Sequence, residues 1–166
     1  MNSKHTIAEL IQRTQTHWPE IATSQNEIAL CLIRLHDLAM EQSAKHLAPF
    51  DLSQAAFEVL VTLRSFPPPR ILTPTELYRA VLITSGGMTK ILKQLEIRGL
   101  IERIENEQDK RSKYVKLTEQ GAKLAEEAMR AVSQGDQELL DKAFSTAECD
   151  QLQQLLSKAV HKLENN

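Results

Sequence analysis

Thr89, Lys90 and Lys93 recur at helical spacing behind a hydroxyl, Ser85, and two glycines, Gly86 and Gly87. Short hydroxyls and long ammonium groups on one helix face reach base edges and phosphate oxygens, the acceptors that a nucleic-acid duplex offers. Glycine removes side chains where a backbone must approach a phosphate, and a helix start favours the anion's charge. A second group follows, Asp109-Lys110-Arg111-Ser112-Lys113. Arg111 suits a minor groove, where negative potential concentrates, and Asp109 can orient its guanidinium through a charge-assisted pair. Lys110 and Lys113 would add phosphate contacts. In isolation the same residues describe a solvated face, a turn and an exposed ion pair worth ~0–1 kcal/mol. The elements that carry them decide between the two readings.

Those elements are written with redundant signals. Leu72-Thr73-Pro74-Thr75-Glu76-Leu77 is a helix start: Thr73 caps, Pro74 sits where its missing N–H costs nothing, and Glu76 completes a capping box. Val81-Leu82-Ile83 forms an apolar turn, and Thr84-Ser85 opens a second helix. Met88, Ile91, Leu92 and Leu95 bury one stripe of it, which turns Thr89, Lys90, Lys93 and Gln94 outward. Strand-like Ile101–Ile104, a charged loop and a strand Tyr114–Leu117 follow. Two helices about a turn, then a hairpin with a basic tip, is the layout of a winged helix-turn-helix, whose second helix fits a major groove.

Charge supports that assignment once it is divided. The chain of 166 residues has a net charge of −2, yet residues 70–118 hold ten Lys/Arg against six Asp/Glu, a local +4 that leaves −6 elsewhere. Affinity for nucleic acid follows the local field and the phosphates neutralised, so the segment matters more than the total. No Ser/His/Asp order, metal-ligand cluster or phosphate-binding loop stands out, which argues against an enzyme and implies no cofactor and no metal. Cys31 and Cys149 form no Cys-x-x-Cys and indicate no disulfide framework. No apolar run nears the ~20 residues of a membrane span, and Met1-Asn2-Ser3-Lys4-His5 leads into no signal region. A cytoplasmic protein with no membrane partner is expected.

Around the basic head the chain reads as helices. Ile7, Leu10, Ile11, Thr14 and Trp18 make an amphipathic stripe over about residues 3–18, ended by Pro19. Ser24 and Glu27 have capping-box spacing for a helix that runs to about Leu47 and is apolar on two sides. Its own domain can cover one side, and a second protomer the other. Ser53 caps the next helix, Pro67-Pro68-Pro69 stiffens a loop, and Thr118 caps a long helix that Gly135 and Asp136 are expected to bend or interrupt. Ser145-Thr146-Ala147-Glu148 opens a final helix repeating Leu152, Leu155, Leu156, Ala159 and Leu163. The expected fold is mainly α with a small β-hairpin wing. N-terminal dimerisation helices occupy 1–50, the winged helix-turn-helix domain 51–121, and C-terminal dimerisation helices 122–166. Apolar end helices flanking a reading head point to a homodimer.

Three stretches together resemble the MarR family of bacterial transcriptional regulators: Leu72–Leu77, Thr84-Ser85-Gly86-Gly87-Met88-Thr89-Lys90 through Arg103, and Asp109-Lys110-Arg111-Ser112 with Leu117-Thr118-Glu119-Gln120-Gly121. The last is similar to the family's wing signature, Asp-x-Arg followed by a strand and Leu-Thr-x-x-Gly. The resemblance implies a homodimer on a pseudo-palindromic double-stranded DNA operator, usually a repressor released by a small ligand or an oxidant. The extra N-terminal helix with Trp18 also resembles a urate-responsive subgroup. That likeness implies an effector pocket of Trp18, Glu58 and Arg103 for a small aromatic or anionic effector. The subgroup has Asp where Glu58 stands and a recognition-helix Arg where Ile91 stands. Core packing is the competing expectation for Trp18. Cys31 is expected as a buried, inert thiol, with redox sensing through it as the alternative; a winged-helix module for protein contact is a further alternative.

Overall fold

The computed structural model describes residues 5–81, 87–106 and 113–165. Packing divides the chain into two compact units, Met1–Glu41 and Gln42–Asn166.

In the N-terminal unit, helix α1 (Ile7–His17) starts at Thr6, whose hydroxyl accepts from the Glu9 amide while Glu9 accepts from the Thr6 amide. It stops at Trp18, before a 3-10 turn at Pro19–Ile21. Helix α2 (Ser24–Leu47) begins in this unit. Thr23, rather than the expected Ser24, caps it: Thr23 Oγ1 accepts from the Asn26 amide at 3.3 Å, and Ser24 is already helical. Gln15 donates to Glu27 at 3.0 Å and Arg34 to the carbonyl of His5 at 2.8 Å, so polar bonds tie the two helices. No described residue of this unit is buried. Two expectations are thereby corrected. Trp18 is 60% exposed instead of packed in a core, and Cys31 is exposed instead of buried. Two helices alone lack the surface to enclose either side chain.

The second unit contains the core. After the last turns of α2 come α3 (Gln54–Ser65), β1 (Ile71–Leu72), α4 (Pro74–Ala80), α5 (Met88–Ile97), β2 (Ile101–Glu105), β3 (Lys113–Leu117), α6 (Glu119–Asp141) and α7 (Thr146–Glu164). Ser53, Thr73, Thr118 and Ser145 cap α3, α4, α6 and α7, and Thr73 and Ser145 make full capping boxes with Glu76 and Glu148. Leu47, Leu60, Leu63, Leu77, Leu92, Leu95, Leu100, Ile101 and Val115 are all essentially sealed from solvent. One aliphatic nucleus thus joins the end of α2, the head helices and the sheet.

Antiparallel strands run in the order β1-β3-β2. The expected hairpin is β2–β3, in the register Ile101↔Leu117 to Glu105↔Lys113. Strand β1 was not expected. Ile71 and Leu72 pair with Lys116 and Val115 along the outer edge of β3, where unpaired backbone groups favour a further strand.

Three local features hold the head. Thr118 Oγ1 donates to the carbonyls of Gly99 and Leu100 and accepts from the Gly121 amide at 3.0 Å. A Cβ at Gly121 would lie 2.0 Å from the Leu100 oxygen, so the glycine of Leu-Thr-x-x-Gly permits that approach. Arg98, at the end of α5, donates to the carbonyls of Phe50 and Asp51 in the turn that follows α2. The third is Gly135. Contrary to expectation, α6 continues unbroken through it, because a Cβ there would meet the His46 ring at 2.6 Å and its absence lets α6 pack on the end of α2. Helix α7 has no buried residue.

Candidate nucleic-acid interface

Helix α5 presents two unlike faces. Ile91, Leu92 and Leu95 are 9%, 1% and 1% exposed and anchor it in the core, whereas Thr89, Lys90, Lys93 and Gln94 are exposed. The described helix begins at Met88, with Gly87 at its cap in the left-handed region at φ +109. Nothing lies within 4 Å of a Cβ placed there, so backbone conformation rather than space calls for glycine. The expected start at Thr84-Ser85, with the site residues Ser85 and Gly86, lies outside the described residues.

The wing strands carry charge as an ordered ladder. Glu102 faces Lys116 and Glu105 faces Lys113 across β2 and β3, with ion pairs of 2.6 and 3.0 Å. Lys113, expected on phosphate, is therefore held by Glu105 in the free chain. Both partners are more than half exposed, and such a pair contributes only ~0–1 kcal/mol. Exchange of Glu105 for a phosphate is cheap. Asp109, Lys110 and Arg111 lie outside the described residues.

The residues expected around an effector are distributed unevenly. Trp18 belongs to the N-terminal unit, and Arg103 lies half-buried in β2 opposite Val115. Glu58 lines a cavity of about 1110 Å³ between α3 and α6, and Arg103 is not part of that lining. Burial pushes the Glu58 carboxyl above the ordinary glutamate range, with a Gln54 hydrogen bond opposing. Elsewhere in the lining, Arg64 donates to Glu126 at 2.7 Å, and this hydrogen bond with its charge holds the Glu126 carboxyl low. The cavity and the Arg64–Glu126 pair were invisible in the sequence, because their parts come from helices far apart in the chain.

A capped helix, a second helix anchored by one face with hydroxyl and ammonium groups on the other, and a hairpin closed by a third strand define a winged helix-turn-helix head. Residues 50–112 match the model of the MarR family. The chain is 34% identical over 116 residues to the multiple antibiotic resistance protein MarR of Escherichia coli strain K12, spanning 70% of this chain and 78% of that protein. It is 36% identical over 135 residues to an HTH-type transcriptional regulator of Bacillus cereus, covering 81% and 87% respectively. A crystal structure of an E. coli MarR mutant complexed with operator DNA superposes with a TM-score of 0.67 at 30% identity, covering 82% of this chain and 98% of that one. The chain belongs to the MarR family of transcriptional regulators. Among the described residues, no helix is long and apolar enough to cross a membrane.

Proposed function

We propose that this chain acts as a homodimer that binds a pseudo-palindromic DNA operator and represses transcription until a small aromatic effector releases it. The carrying observation is the exposed Thr89-Lys90-Lys93 face on a helix whose opposite face is locked in the core. Such a helix enters a major groove, its twofold mate the groove about 34–36 Å away. Ser85 and Gly86, which precede that helix in the sequence, would meet phosphate at its start, while Asp109, Lys110, Arg111 and Lys113 would serve the flanking minor groove and its phosphates. The E. coli relative solved on operator DNA supports this role.

Dimerisation is supported by apolar side chains that the single chain leaves in water. Ile28, Leu32, Ile33 and Leu38 on α2, and Leu155, Leu156, Val160 and Leu163 on α7, are each more than 40% exposed. Aliphatic exposure repeated along a helix in this way, on each of the two helices taken by itself, marks a face for association. A mobility-shift titration against the gene's own upstream region, with the oligomeric state measured in parallel, tests the reading. Sequence-specific, salt-sensitive retardation by a dimer supports it. A monomer indifferent to duplex DNA at low ionic strength overturns it.

A further inference from the structure

The cavity between α3 and α6 has a chemical polarity of its own. One stretch of its wall is apolar, built from Val61, Phe66, Ala80, Ala125 and Met129, and polar side chains line the rest. Glu58 and Arg64 stand about 9 Å apart along α3. At the Arg64 end, charge is already matched: Glu126 accepts from Arg64 at 2.7 Å and also faces Arg130, which is exposed to solvent. At the Glu58 end it is not. Among the described residues Glu58 makes no ion pair, and its hydrogen-bond partner is the neutral amide of Gln54 at 3.4 Å. That amide is itself oriented, because its oxygen accepts from the buried Ser43 hydroxyl at 2.8 Å, which turns its nitrogen toward Glu58 Oε1. The other carboxylate oxygen of Glu58 is left for a ligand.

From this geometry we infer that the cavity takes a flat aromatic cation, with a planar N–H donor group on Glu58 and its rings along the apolar wall. The inference deepens the effector reading proposed above and rests on it for its regulatory meaning, though not for binding itself. The volume is large enough for a two-ring ligand. Of the two cations in the lining, Arg64 is already held by Glu126. That leaves an anion of the same shape the solvent-exposed Arg130, whose charge is screened, and neutral donors such as Ser65 and Gln134. A charge-assisted hydrogen bond to a half-buried carboxylate is the stronger of the two, so the cation is preferred.

Biphenyl-4-carboxamidine and biphenyl-4-carboxylate have one shape and opposite charge, which makes them the probes. Calorimetry on the full chain should show the amidine binding at least about tenfold more tightly than the carboxylate. Glu58→Gln should remove that preference, and Glu58→Asp should restore part of it, with circular dichroism confirming that both variants fold. Equal affinity for the two probes, preference for the carboxylate, no binding of either, or a preference that survives Glu58→Gln would overturn the inference. Mobility shifts without ligand separate the two claims. DNA retardation without amidine binding sinks the ligand assignment alone, while amidine binding without DNA retardation sinks the regulatory reading alone.

Discussion

Helices α5 and α7 are both amphipathic and both face solvent, but with opposite chemistry. In α5 the apolar face is satisfied within the chain and the polar face is presented; in α7 the apolar face itself remains uncovered. An exposed polar face on a completed core is ready for a charged ligand, since nothing must be reorganised before binding. An exposed aliphatic face signals an unfinished core, which a second copy can complete. The difference separates what the head does by itself from what needs a partner.

The largest expected effect breaks that contrast at α7. If the proposed dimer forms through α7, replacing both Leu156 and Leu163 by Glu should convert it to a monomer by analytical ultracentrifugation and lower operator affinity at least a hundredfold, because one head loses the other's binding. An unchanged dimer would place the interface elsewhere. Next, Leu92→Ala removes the anchor of α5 and should cost about 3 kcal/mol in denaturant unfolding. Thr73→Ala removes the cap of α4 and should cost about 1 kcal/mol. Lys93→Ala should leave stability alone, weaken DNA binding modestly and flatten the salt dependence by about one unit of slope. An unchanged slope would take Lys93 off the phosphates.

The smallest effect concerns pH. The folded state holds the Glu58 proton more tightly than the unfolded chain does. Ionisation therefore costs stability as pH rises past the ordinary glutamate value, and the cost is complete above the raised folded value. Glu58→Gln should melt slightly higher than the parent at pH 7, and the margin should close as pH falls below the ordinary glutamate range. Thermal melts over that range read it directly.

What was legible in the sequence was local. Capping boxes at Thr73 and Ser145 and the stripe of α5 depend on residues three or four apart, and they appear as expected. What depends on distant neighbours was not. Strand β1 exists because β3 offers it an edge, and α6 stays whole at Gly135 because His46 packs there. Trp18 and Cys31 were assigned to interiors that their own unit is too small to build. The cavity wall comes from α3, α4 and α6, so only Glu58 among its polar residues was anticipated.

Arg98 carries a consequence for control. Because its guanidinium binds the carbonyls of Phe50 and Asp51, the groove-reading helix cannot tilt without dragging the turn behind α2 along with it. Each reading module behaves as a key cut from one piece of metal: its teeth stay fixed, and only its position in the lock changes. In the dimer proposed above, a signal passed through this joint would move the whole head, and with it the spacing between the two keys, sooner than it would reshape the teeth.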